Sequence, residues 1–360
     1  MSHRIDPDFL MRHAWRFSRG DGSLVAPILR LLPRGIVGGY IHPSERSWEM
    51  RGDHVALLNA NDVATTLFTQ VQDDASGPVK LTGTFLGDGK TVHVLDRVKM
   101  PSGADLGQQS QLEPVEFLRV PASASARRNL IVLRANENSV HTDWSQDIPS
   151  TERNWDLCIS WYGKNAPPPD LACEYLTWQP EDRKFGAIHA LFLHDGPLWQ
   201  YDRFWLADDD LLLTWAAINR MFAIFRRHDF DLAQPSLSAS GHITHPVTRQ
   251  HPDYSLRYTN FVEGMCPILS RDTLRICLPI MYGSISGWGL DNIWPQLLGS
   301  IASKMAIIDE IAAIHTRPFG TGTNYNMNKA QLECDQLRAL YGAPLNFEAC
   351  GVLVKGLTPV

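Results

Sequence analysis

Short apolar runs broken by turn residues fill the first third of the chain. Residues 54–59, 79–86 and 91–98 are strand-like in length and composition, and the last two are joined by Gly87-Asp88-Gly89-Lys90. That spacing predicts a small, mainly antiparallel β module behind a basic leader able to form a helix. The stretch Pro121-Ala-Ser-Ala-Ser-Ala126 is small and Pro/Ser-rich and reads as a linker. Residues 1–125 are therefore expected to form a β-rich accessory domain, and residues 126–360 a second domain.

After Asn129 the pattern alternates between strand and helix. Apolar runs at 130–133, 157–160, 203–207 and 232–234 each end in polar or Gly/Pro-rich segments. Over 211–228, Leu212, Trp215, Phe222 and Phe225 can share one helical face. Continuously apolar strands separated by helices predict an α/β fold whose mostly parallel sheet is flanked by helices. Ligands of such sheets bind beyond the carboxyl ends of the strands, so functional residues are expected just after each run.

Composition narrows the function classes. The 360 residues are 44% hydrophobic and 20% charged, enough to bury a sizeable core. A formal charge of -6 argues against nucleic acid as the main partner. The first 19 residues lack the uninterrupted apolar stretch of a signal peptide. No segment approaches the roughly 18 apolar residues of a membrane span. The six cysteines are far apart, several within apolar runs, and read as buried thiols of a reducing compartment. A cytoplasmic protein is the expectation.

The chemistry follows the strand Tyr201-Asp-Arg-Phe-Trp-Leu-Ala207, which runs into Asp208-Asp209-Asp210. In an extended chain Asp208 and Asp210 point the same way and Asp209 the opposite way. Two carboxylates on one side repel unless a cation lies between them, and Mn²⁺ or Mg²⁺ suits an all-oxygen site. The plainer alternative is a helix N-terminus, where acids favour the dipole. Further on, Phe261-Val-Glu263-Gly264 puts one acid in an otherwise apolar strand. Tyr282-Gly-Ser-Ile-Ser-Gly-Trp-Gly-Leu-Asp291 then carries glycines at 283, 287 and 289 that allow close backbone approach. Trp288 offers a flat face to a sugar ring and Asp291 a base for a hydroxyl, against the alternatives of core packing and an N-cap. His315 ends the apolar run 306–314, where a lone histidine is ordinarily a satisfied core residue.

Across residues 128–325 this ordered set resembles the GT-A glycosyltransferases. The resemblance rests on Arg134-Ala-Asn-Glu-Asn138 after the first strand, the D-x-D, Val-Glu-Gly-Met, Gly-Trp-Gly-Leu-Asp and a late histidine. It is similar more narrowly to a poorly characterised family of plant and bacterial proteins. The resemblance implies a GT-A-like (Rossmann-like) fold and transfer of a sugar from a nucleotide-sugar donor to a glycan or other hydroxyl acceptor. By it, Asp208 faces the ribose or sugar and shares with Asp210 and His315 the binding of Mn²⁺ or Mg²⁺, and Asp291 is the base. Asp209 departs from the pattern and leaves the metal pair open between Asp208/Asp210 and Asp209/Asp210.

Arg134 and Asn138 fall where such proteins hold the nucleotide, Tyr162 can stack on a base, and Lys184 can meet a phosphate or simply be solvated. A C-terminal helix carries Ala330, Cys334, Leu337 and Tyr341 on one face, is stopped by Gly342 and Pro344, and reads as structural. Two other classes compete: a glycoside hydrolase using Glu263 and Asp291, and a non-catalytic sugar-binding protein.

Overall fold

The computed structural model describes residues 5–32, 35–39, 42–98, 115–144, 148–149, 151–180, 183–192, 196–281, 284, 286–298, 304–318, 326–345 and 347–355. A short helix α1 (Pro7–Arg12), capped by Asp6, leads into eight strands: β1 (Ala14–Arg19), β2 (Leu24–Leu32), β3 (Ile36–Gly38), β4 (Ser47–Arg51), β5 (His54–Leu58), β6 (Ala64–Asp74), β7 (Gly77–Phe85) and β8 (Val92–Val98). Each pairs antiparallel with the next, and β8 returns to β1, closing a barrel. The strand-like runs read in the sequence are β5, β7 and β8. Alternation of side chains points Trp15, Phe17, Leu57, Phe68, Leu81 and Leu95 into a common buried interior.

Downstream come β9 (Phe117–Arg119), β10 (Asn129–Ala135), β11 (Trp155–Trp161), β12 (Tyr175–Trp178), α2 (Lys184–Phe192), β13 (Arg203–Ala207), β14 (Leu211–Leu212), α3 (Trp215–Arg227), β15 (Leu232–Leu237), β16 (Tyr254–Thr259), β17 (Ile268–Ser270), α4 (Arg271–Met281), α5 (Leu290–Leu298), β18 (Met305–His315), α6 (Met327–Tyr341) and β19 (Ala349–Val354). They build a second sheet in the order β19-β16-β18-β15-β17-β13-β10-β11-β12-β9, with β14 on β18. Residues 117–119, on the amino-terminal side of the linker read at 121–126, thus belong to this second sheet through β12.

The sheet is mixed, which corrects the mostly parallel expectation. Among the described residues its four parallel pairings are β10–β11, β10–β13, β11–β12 and β15–β18. The other six are antiparallel. The reason lies in the connections. Parallel neighbours need a long crossover, whereas between β15 and β17 the described chain has one three-residue 3-10 turn and no α-helix.

Both faces are covered all the same. One buries Leu130, Val132, Phe204 and Leu206 against α2, α4, α5 and α6; the other buries Ile131, Leu133, Trp205 and Ala207 against α3. Helix α3 starts at Trp215 behind the N-cap Thr214, later than the 211–228 pattern implied. Leu211 and Leu212 are instead extended and pair with His315 and Ile314. Helix α4 also meets the barrel, where the Gly39 N–H donates to the Ile276 carbonyl over 3.2 Å. Cys158, Cys266, Cys277 and Cys334 are buried as expected, but Cys173 is half-buried and Cys350 exposed, and none is paired. No helix among the described residues is long and apolar enough to cross a membrane.

Candidate active site

Three acids follow β13 at the carboxyl ends of the central parallel strands. They are not a helix cap, because α3 begins five residues after Asp210. Asp208 accepts from the Lys184 ammonium at 2.7 Å, and Lys184 also donates to the carbonyls of Gly264 and Met265 at 2.9 and 2.8 Å. Lys184 is therefore not the solvated charge that its sequence setting also allowed. The Asp208 side chain keeps 38% of its surface accessible. Burial still raises its pKa, with Lys184 opposing, as for a carboxylate open on one side only.

Asp209 is fully engaged. The Tyr162 hydroxyl donates to one of its oxygens at 3.0 Å and Arg317 to the other. Burial lifts its pKa to about 6 against the pull of Arg317. Both Asp209 oxygens are thus taken, whereas Asp210 keeps one without a partner among the described residues. One face of the Tyr162 ring is covered by the Arg134 guanidinium, 5.2 Å from its centroid.

Asp210 meets His315 Nε2 and Arg317 Nε, each at 3.2 Å from its Oδ2. Burial pushes its pKa up, but His315 and Arg317 outweigh that and leave it lowered. The ring of His315 is held on its other side by the His242 carbonyl, 3.2 Å from Nδ1. Burial depresses this imidazole, and Asp210 brings it above its ordinary value. The register of β14 on β18, with Leu211 opposite His315, is what brings the histidine to the acid.

Asp210 Oδ1 is buried without a hydrogen-bond partner among the described residues, as is Glu263 Oε2. Among those residues no group of three or more His, Cys, Asp and Glu side chains is arranged to hold a metal ion. The donor chemistry that suits a hard divalent cation is the carboxylates of Asp208 and Asp210, the latter with an orphaned oxygen, beside the His315 imidazole. Asp209 and Asp210 lie in a turn, so the alternation expected of an extended chain does not hold there.

Glu263 lies in a turn-rich connection, which corrects its expected place in a strand. Pro267 and the turn at 264–266 interrupt extension, and the Glu263 N–H donates to the Gln234 side chain at 2.6 Å instead of to a ladder. The connection runs beside β13, with the Asp208 N–H donating to the Met265 carbonyl at 3.0 Å. Burial, reinforced by the charge of Asp291, pushes the Glu263 pKa up to about 8. Asp291 falls in the first turn of α5. Burial raises its pKa to about 6 although backbone N–H groups of Gly264, Asn292 and Gly289 support the carboxylate.

Arg134 is buried and donates to Ser160 Oγ at 2.9 Å, and Ser160 in turn donates to Gln179 Oε1 at 2.5 Å. Asn138 is exposed just beyond β10. Trp288 is half-buried. Gly287 and Gly289 hold φ of +78° and +89°; Gly283 lies outside the described residues. Sequence reasoning passed over Arg317 and Gln179. Arg317 stood two residues beyond the histidine, a spacing that returns an extended chain to the same face.

A protein-family profile described as "Protein of unknown function (DUF707)" matches residues 188–340. No curated protein matches. Among solved structures the chain is similar to S. aureus TarS residues 1–349 in complex with UDP-GlcNAc, at TM-score 0.42 and 10% identity over 61% of this chain and 68% of that one. It is also similar to a mannosyltransferase from Pyrobaculum calidifontis in complex with GDP-Man and Mn²⁺, at TM-score 0.34 and 12% identity over 58% and 62%. At these scores a functional reading rests on the site itself.

Proposed function

We propose that this chain is a metal-dependent glycosyltransferase that moves a sugar from a nucleotide-sugar donor to a hydroxyl acceptor in the cytoplasm. The observation that supports the reading is His315, from β18, set 3.2 Å from Asp210 just after β13, with the other Asp210 oxygen buried and without a partner among the described residues. Asp208, Asp210 and His315 would hold the cation, which when bound neutralises the departing diphosphate. Lys184 and Arg317 orient the two aspartates and add positive charge where phosphates would lie. Arg134, Asn138 and Tyr162 line the nucleotide side, and Trp288 stacks on a sugar. Asp291 accepts the acceptor's hydroxyl proton, with its raised pKa near the range in which a general base works best. Glu263, the second catalytic acid, is protonated near neutrality and donates a hydrogen bond to a sugar hydroxyl. In this reading the catalytic domain takes in β9 together with residues 126–360, and the barrel of residues 14–98 is an accessory domain for acceptor binding or assembly.

A thermal-shift panel of nucleoside diphosphates with and without Mn²⁺ tests the reading, followed by turnover of a sugar-nucleotide panel. Stabilisation is expected only by nucleotide and metal together, because binding to the native state raises its melting temperature. Asp210→Asn is expected to abolish both this response and turnover while preserving the fold. Full turnover in excess chelator would overturn the metal requirement.

A further inference from the structure

The last helix touches the candidate site in a way the mechanism above does not use. Glu333, on α6, is 2% exposed, and its carboxylate accepts three hydrogen bonds from the segment that precedes α5. Ser284 Oγ donates to Oε1 at 2.7 Å; Ser286 donates to Oε2 through its hydroxyl at 2.7 Å and its N–H at 3.1 Å. The two serines pass this order on. Ser284 Oγ accepts from the Gly287 N–H and Ser286 Oγ from the Trp288 N–H, each at 3.1 Å.

The relay has a direction. Each serine has one hydroxyl proton and spends it on Glu333, which turns its lone pairs toward the backbone of the next residues. Glu333 thus receives from both serines and a backbone N–H at once, one bond on Oε1 and two on Oε2. The backbone of α6 abuts the same segment. A Cβ on Gly289 would stand 2.9 Å from Cys334 Cα, and Cys334 Sγ donates to Asn292 beside Asp291 at 3.4 Å.

We propose that Glu333 is a positioning residue that fixes the backbone of Gly287 and Trp288, and through it the placement of Trp288 and Asp291. The inference rests on the glycosyltransferase reading for the roles of those two side chains, not for the clamp itself. Glu333 touches no reacting atom; it holds the face of the acceptor side at a set distance from Asp208 and Asp210.

Glu333→Gln, Glu333→Asp and Ser286→Ala in the full chain test this by two readouts. The first is amide hydrogen exchange. Gly287 and Trp288 are expected to exchange about tenfold faster or more in Glu333→Gln, and Trp288 in Ser286→Ala, which removes its acceptor, since each amide loses a held hydrogen bond. The second is steady-state kinetics with a sugar nucleotide. Glu333→Gln is expected to lower kcat by about 10²-fold, the scale of a 1 Å misplacement, with nucleotide affinity within twofold of wild type. Glu333→Asp is expected to recover part of the loss. Adding Glu333→Gln to Asp291→Asn is expected to cost little more than Asp291→Asn alone, because residues that act through one another are not additive.

Unchanged exchange at Gly287 and Trp288 in a folded Glu333→Gln chain, or at Trp288 in a folded Ser286→Ala chain, overturns the clamp. Additive losses in the double variant overturn its action through Asp291. A wild-type chain that turns over no sugar nucleotide defeats the functional reading, and the exchange data then decide the clamp alone. If Glu333→Gln fails to fold, Ser286→Ala, which leaves the carboxylate in place, carries both measurements.

Discussion

Lys184 and Arg317 both point their charges at the triple aspartate, so the site carries its own counter-charge on two sides. Asp291 has no such partner among the described ion pairs and rests on backbone N–H groups. Asp291→Asn preserves those hydrogen bonds in shape while removing the base. Turnover is expected to fall about 10²–10⁴-fold, with nucleotide affinity and melting temperature nearly unchanged. Near-normal turnover would mark Asp291 as a first-turn acid that only serves α5. Glu263 gives a pH signature. Its pKa is raised from 4.5 to about 8, so the native state holds the proton more tightly than the unfolded chain. Stability from this group is fully present below about pH 4.5 and is lost as pH rises through about 8. Glu263→Gln is expected to raise the melting temperature at pH 8.5 and to change it little at pH 4.5; equal effects at both would remove Glu263 as the cause.

At the scale of elements, strand β13 and its aspartates were legible because an apolar run ending in acids has few meanings. His315 was legible only by resemblance, since its value depends on β14 pairing beside it. That pairing is a two-residue strand, which the periodicity absorbed into the following helix. The direction of β16, β17 and β19 was not legible, because antiparallel and parallel strands of this length look alike until their connections are known. Lys184, Arg317 and Glu333 reach the site from segments 24, 107 and more than 120 residues away from Asp208 or Asp210 in the chain, beyond any local pattern. Gly289 shows how close these elements approach. With φ at +89° and Cys334 Cα in the way, Gly289→Ala is strained twice over. It is expected to cost about 1–3 kcal/mol in denaturant unfolding, whereas Gly22→Ala, with φ +85° but open space around it, is expected to cost less.

For the whole molecule, the barrel and the second sheet meet through α4, while β9 keeps its place in the sheet. A chain beginning at Val115 therefore retains β9 and all candidate site residues. It is expected to keep the stabilising response to nucleotide with Mn²⁺ and to melt at a lower temperature than the full chain, having lost the barrel's cover on α4. Loss of the nucleotide response in a folded Val115 chain would mean that the barrel shapes the donor site. The order of pairing also separates the two halves in time. Every barrel strand pairs with its neighbour in sequence, and closure needs nothing beyond Val98. The sheet instead waits for β18 to join β15 and for β19 to reach β16 from about a hundred residues downstream. The barrel needs only the first 98 residues, so a nascent chain on the ribosome can finish it while the sheet that carries the acids is still incomplete. The half that carries the candidate site is the one that emerges late, beside a neighbour able to fold first.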